Sequence, residues 1–389
     1  MRYWIDNQKV GKADFYTLSK DLSKKFNKKR KPQSNNYRKI RKRLGKLHLK
    51  IQRQRKDWAI KQARSVVHVS FLNLITISMP TVNKSVFSLL PFLALVTTLS
   101  LPISPSWAAD PFRSSNPRNI DSNTEAAFQA IFQEGNYPAA QQYLQQAETS
   151  NPQEPLVYAM IASLAHTQED WATLDRYGAK TLETAQQIMN SDPLRGHLYT
   201  AAGTFLQGAA SLRRGERVGI LPKLQQVFQS LDQANKIDPQ DPELNLLKGY
   251  MDLLLAVHLP FSTPDQAIAK LQNYGTPDYL VYRGVAIAYR DLKNYPQALK
   301  YVDQALTITP NNPELYYLKA QILFRQGSND PRALRLFNRA ITKQQQLPLS
   351  QVAQIIYERC VTENRLDSAG RDCFGQMTTA RQNGITTGE

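Results

Sequence analysis

The chain has 389 residues and a formal charge of +17, a length sufficient for two or three domains. Residues 1–108 hold 23 Lys and Arg against 4 Asp and Glu, which leaves 26 and 28 for the remainder. A leader at +19 thus precedes a body at −2, which excludes a uniformly basic nucleic-acid binder and points to two unrelated pieces. Two cysteines, Cys360 and Cys373, and five scattered histidines exclude a Cys/His metal array. No Gly-rich phosphate loop, G-x-S-x-G or HExxH occurs, so no catalytic residue, cofactor or metal is expected.

Within the leader, Lys20 to Arg64 contains 19 basic residues opposed only by Asp21 and Asp57. Tyr37, Ile40, Leu44, Leu47, Ile51 and Trp58 recur at helical steps, predicting one long helix over 35–67. Its other faces carry Lys39, Arg41, Lys42, Arg43 and Lys46. Such faces attract phosphate backbones through counterion release; a solvated charged helix is the alternative. The segment resembles the central helical region of the TnpB (OrfB) proteins of insertion-sequence transposons. The match runs through Leu22, Ser23, Ser34, Asn36, Lys39, Arg41, Leu44, His48, Lys50, Ile51, Arg55, Lys56 and Asp57. The resemblance implies an RNA-guided DNA nuclease with an acidic RuvC-like site. That site is missing, because no G-I-D strand lies upstream and "HVSFLNLITISMP" downstream contains no acid. Residues 1–78 are therefore expected to be a fragment without chemistry, contacting nucleic acid only if the leader is translated; a DNA-binding remnant of a transposon-encoded protein, acting through this basic helix, is the alternative function.

Met79 opens a second pattern. Lys84 precedes an apolar run from Val86 to Leu101, followed by small residues at Ser106 and Ala108. That order predicts a secretory signal over 79–108, cut between Ala108 and Ala109. Sixteen apolar residues interrupted by Pro91 are short for a span of about twenty. An uncleaved anchor over 85–104 is the alternative, and translation from Met1 or from Met79 is open. The expected destination is the periplasm or another extracytoplasmic compartment, with only transient membrane contact.

The body repeats itself. "NYPAAQQYLQQAETSNP" (136–152) and "NYPQALKYVDQALTITP" (294–310) share nine of seventeen residues. "LDQANKIDPQDPELNLLKG" (231–249) and "VDQALTITPNNPELYYLKA" (302–320) share ten of nineteen. The clearest unit, Tyr279 to Asn312, resembles the tetratricopeptide (TPR) repeat at Tyr282, Ala286, Tyr289, Ala298, Ala305 and Pro310. Small alanines allow close helix approach, and Tyr282, Tyr289 and Tyr301 fill the gaps between layers. Asn294 caps the second helix, with Pro296 in its first turn. Weaker copies predict an all-α, right-handed superhelical solenoid of about six pairs over 121–347. The third pair is expected to carry a loop insertion at 213–222 and the fourth one at 257–264. A capping helix near 349–361 and a tail complete residues 348–389.

The TPR resemblance implies a non-catalytic scaffold whose concave groove holds a protein or peptide partner. Carried over position by position, the groove residues are Arg283, Ile287, Arg290 and Asp291, then Tyr317, Gln321, Phe324 and Arg325. The Lys/Asn arrangement that clamps a C-terminal carboxylate is absent from this set. Cys360 and Cys373, in an exported chain, are expected to pair as a disulfide across a helix end, a turn at "NRLDSAG" and a short return helix.

Overall fold

The computed structural model describes residues 110–216, 219–258, 264–327 and 331–383. The expected basic helix, with Lys39, Arg41, Lys42, Arg43 and Lys46, lies outside them, as does the expected signal with Ala108 and Ala109. Among the described residues every regular element is helical, and no helix is long and apolar enough to cross a membrane.

Fourteen helices among the described residues follow one another in antiparallel-type pairs: α1 (Ser122–Phe128) with α2 (Tyr137–Ser150), α3 (Pro155–Thr167) with α4 (Trp171–Gln187), and α5 (Pro193–Arg213) with α6 (Ile220–Ile237). Then come α7 (Pro242–His258) with α8 (Pro264–Tyr274), α9 (Asp278–Asp291) with α10 (Tyr295–Ile308), α11 (Pro313–Arg325) with α12 (Pro331–Ile341), and α13 (Leu349–Asp367) with α14 (Cys373–Asn383). The first helix widens into a π turn (Gln129–Glu134) before α2.

Local chemistry sets these boundaries. Asn136, Asp170, Asp192 and Asn294 each cap a helix by accepting from a backbone N–H three residues on, and proline occupies the first turn of α2, α3, α5, α10 and α11. Both devices supply what a helix start lacks, an acceptor for orphan N–H groups and a preset φ. In the fifth pair Ala286, Ala298 and Ala305 are wholly buried, and the Tyr301 ring lies 6.2 Å from Tyr282 and 5.7 Å from Tyr289. The alanine and tyrosine roles expected from the sequence hold in this pair.

Three features depart from expectation. The extra residues of the third pair lengthen its helices to 21 and 18 residues, against 14 in each helix of the fifth. Ile220–Pro222 belong to α6 rather than to a loop, because the apolar period of "ILPKLQQVFQSL" continues the helical stripe through Val227 and Leu231. The C-terminal stretch is a seventh pair. α13 runs past Val361 to Asp367, so the first four residues of the expected turn are helical; Ser368 turns the chain at φ 58°, and α14 is the expected return helix. Cys360 and Cys373 join the two helices by a disulfide.

The last departure concerns the ends. Asn312 Nδ2 donates to the Phe132 carbonyl at 3.2 Å and Ser350 Oγ to the Thr167 carbonyl at 2.8 Å, while Arg381 pairs with Glu169. The first two pairs therefore touch the last two. Ahead of α1, residues 110–120 form no helix but lie against α1, α5 and α7 and the turn before α9, with Phe112 and Ile120 buried.

Candidate partner-binding site

From the third pair to the sixth, the first helix of each pair donates a polar group to the first helix of the next. Arg283 of α9 pairs with Glu314 of α11 at 3.0 Å. Tyr137 of α2 and Gln351 of α13 donate to the same carboxylate at 2.9 and 3.1 Å. Burial alone would lower the Arg283 pKa, but Glu314 beside it raises it above the ordinary guanidinium value. Two turns along, Arg290 donates to Gln321 at 2.8 Å, and Gln321 donates to both oxygens of Glu358 on α13. Burial raises the Glu358 pKa, and burial with Glu358 nearby raises that of Tyr317.

The expected groove residues are thus brought onto one side of adjacent helices, with unequal fates. Arg290, Tyr317 and Gln321 are 6%, 9% and 6% exposed. Ile287 packs in the cluster of Ala286, Ala298 and Ile322. The polar atoms of Arg290, Tyr317 and Gln321 are spent on each other, on Asp291 and on Glu358, and Arg283 is spent on Glu314. What remains open is the outer end of the row.

There Arg290, Asp291, Lys293, Tyr295, Phe324, Arg325, Gly327 and Arg365 line a depression of about 700 Å³. It lies where α9, α11 and α13 terminate and α10 starts. Cations at helix C-termini are favoured by the macrodipole, which accounts for Arg290, Arg325 and Arg365 being there. Asp291 accepts from Arg290 at 2.9 and 3.1 Å and from Arg325 at 2.9 Å. The Arg365 guanidinium lies 4.0 Å from the Phe324 ring centroid and donates to the Phe324 carbonyl at 3.3 Å. Lys293 is exposed. Arg290 itself is buried, which leaves Lys293, Arg325 and Arg365 exposed around the one lining carboxylate, Asp291, so the surface presents net positive charge beside two aromatic rings.

Lys293, Tyr295 and Arg365 are additions to the residues expected from sequence. Lys293 and Tyr295 flank the capping Asn294, a place the repeat pattern does mark. Arg365 belongs to a helix whose repeat signature is too weak to align, and no signal in the sequence identifies it. Among the described residues no cluster of three or more His, Cys, Asp or Glu has metal-holding geometry.

No curated protein matches the sequence. A tetratricopeptide repeat protein from Parabacteroides merdae shares 16% identity at a TM-score of 0.33, over 68% of this chain and all of that one. Residues 287–327 match the TPR repeat family, and every residue lining the depression except Arg365 falls within that stretch.

Proposed function

We propose that the protein is an exported, non-catalytic scaffold that holds a protein or peptide partner, with the basic depression at the α9–α11–α13 ends as a contact for an acidic segment. A TPR repeat is a protein-interaction unit, and the observation that carries the reading is its coincidence with three exposed cations, Lys293, Arg325 and Arg365, around a single carboxylate. Arg325 and Arg365 supply planar forks for a partner's carboxylates. Phe324 and Tyr295 offer apolar surface to the intervening chain. The Cys360–Cys373 bridge supports the export part, since such bonds persist in oxidising compartments.

The test uses a fluorescein-labelled peptide of alternating Glu and Leu, followed by anisotropy. The protein should bind it with an affinity that falls as salt rises. Arg325→Glu with Arg365→Glu should remove binding while helicity is unchanged, because both side chains are exposed. Undiminished binding by that variant would move the partner elsewhere. Export is checked separately by N-terminal sequencing of the natural protein, where the first residue should be Ala109.

A further inference from the structure

A second charged site, of opposite sign, lies on other helices. Four carboxylates converge at the starts of α3, α5 and α7: Glu154, Asp192, Asp241 and Glu243. The helices themselves offer Arg195, which reaches Glu154 at 2.6 Å and Glu243 at 3.1 Å. The remaining cations come from residues 110–120. Arg118 takes Asp192 at 3.2 Å, Asp241 at 3.0 Å and Glu243 at 2.8 Å, and Arg113 also pairs with Asp241. The Asp241 side chain is fully buried and that of Glu243 is 4% exposed.

The occupying segment is held by anchors rather than by secondary structure. Phe112 packs edge-on against Phe128 at 5.0 Å, and its carbonyl accepts from the Thr276 hydroxyl. Asp110 accepts from the Phe112 and Arg118 N–H groups at 2.9 and 3.1 Å, folding the segment over itself. No helical or strand bonds would break if it left. Buried carboxylates stripped of their partners are strongly unfavourable, so the face requires an arginine-bearing segment but not covalent continuity with one. Extended peptides held by side-chain anchors are a common ligand form.

We propose that the starts of α5 and α7, with Thr276, form a receptor for an extended arginine-bearing segment of a partner protein, of the form Phe-Arg followed by a second arginine five positions on. Residues 110–120 are its in-cis occupant, and a partner gains the site by replacing them. This site is independent of the basic depression and takes the opposite charge.

The probe is a fluorescein-labelled peptide with the sequence of residues 110–120, and the protein is the full chain. A tethered occupant competes at an effective concentration of roughly millimolar, so the unaltered protein should bind the peptide weakly. Arg113→Gln with Arg118→Gln disarms the tethered copy, and peptide affinity should rise about tenfold or more. Adding Asp241→Asn and Glu243→Gln should abolish the gain, as should a peptide with Gln at both arginines. Where the double variant is poorly folded, its melting temperature is read with and without millimolar peptide. The arginine peptide should raise it by several degrees and the Gln peptide should not. A variant that binds no tighter than the unaltered protein, or that either peptide stabilises equally, overturns the proposal.

Discussion

His166 shows what one enclosed side chain does to the protein's pH response. It is 1% exposed, its Nδ1 has no hydrogen-bond partner, and the Trp171 ring meets it edge-on at 5.2 Å. The Arg213 guanidinium lies over the same indole at 4.8 Å. Burial, then the Arg213 charge, lowers the His166 pKa to about 4. In the unfolded chain the group titrates near the usual value of about 6.5. The native state therefore holds a neutral imidazole while the unfolded state binds a proton throughout that window. The stability this represents is complete above pH 6.5, shrinks as pH falls, and is lost once pH passes the folded value. The gap corresponds to at most about 3 kcal/mol. Urea unfolding at pH 7 and 4.5 should show the unaltered protein losing roughly 2–3 kcal/mol more than His166→Phe. The buried Glu243 and Glu358, whose pKa values are raised, act in the opposite direction in both proteins and cancel in the comparison. Equal losses would place His166 in solvent. The sequence showed this histidine only as one of five scattered ones, because its surroundings depend on Arg213, 47 positions away. The same limit applied to Arg290 and Gln321: the TPR resemblance implied which side they face, but not that Glu358 would meet them there.

At the scale of the helix pair, much of the architecture was legible because one repeat unit carries its own instructions. The Asn-Tyr-Pro starts at 136 and 294 and the alanines at 286, 298 and 305 specify cap, turn and close contact within about 30 residues. The shared "PEL" at 242–244 and 313–315 was equally plain as an identity. Its use was not, since Glu243 and Glu314 each take an arginine from the preceding pair. Glycines in α5 show the same division. A Cβ on Gly203 would sit 2.9 Å from the Gly178 carbonyl oxygen and 3.0 Å from the Leu182 nitrogen, so α4 and α5 meet backbone to backbone. A Cβ on Gly208, five positions along, would find only the Lys223 side chain at 3.9 Å. Helix propensity favours alanine at both by about 1 kcal/mol. Gly208→Ala should therefore gain up to that amount. Gly203→Ala should lose roughly 1–3 kcal/mol from overpacking against unyielding backbone. Thermal denaturation of the two variants reads the signs directly, and stabilisation by both would mean that α4 and α5 are further apart.

For the whole molecule, the decisive contacts are those the repeat pattern cannot encode. A solenoid reading treats each pair as touching only its neighbours, which leaves the last pair with one free side. Here Arg381 on α14 reaches Glu169, 212 positions earlier, and Ser350 on α13 reaches Thr167. Residues 110–120, lacking any period, were likewise invisible until the carboxylates they bind were assembled. The Cys360–Cys373 bridge holds α14 against α13, so it also holds Arg381 against the turn between α3 and α4. Replacing both cysteines by alanine removes a cross-link across 13 positions, worth about 3 kcal/mol in the chain-entropy model. Hydrogen exchange should then speed up by about a hundredfold over 374–383. A smaller rise should appear at Gln168, Glu169 and Asp170, whose amides bond within that turn, while α9 and α10, remote from both contacts, stay unchanged. A chain whose ends do not touch would show the first change without the second. The amides of Glu169 and Asp170 thus report, from near the start of the repeats, whether a disulfide at the other end is intact.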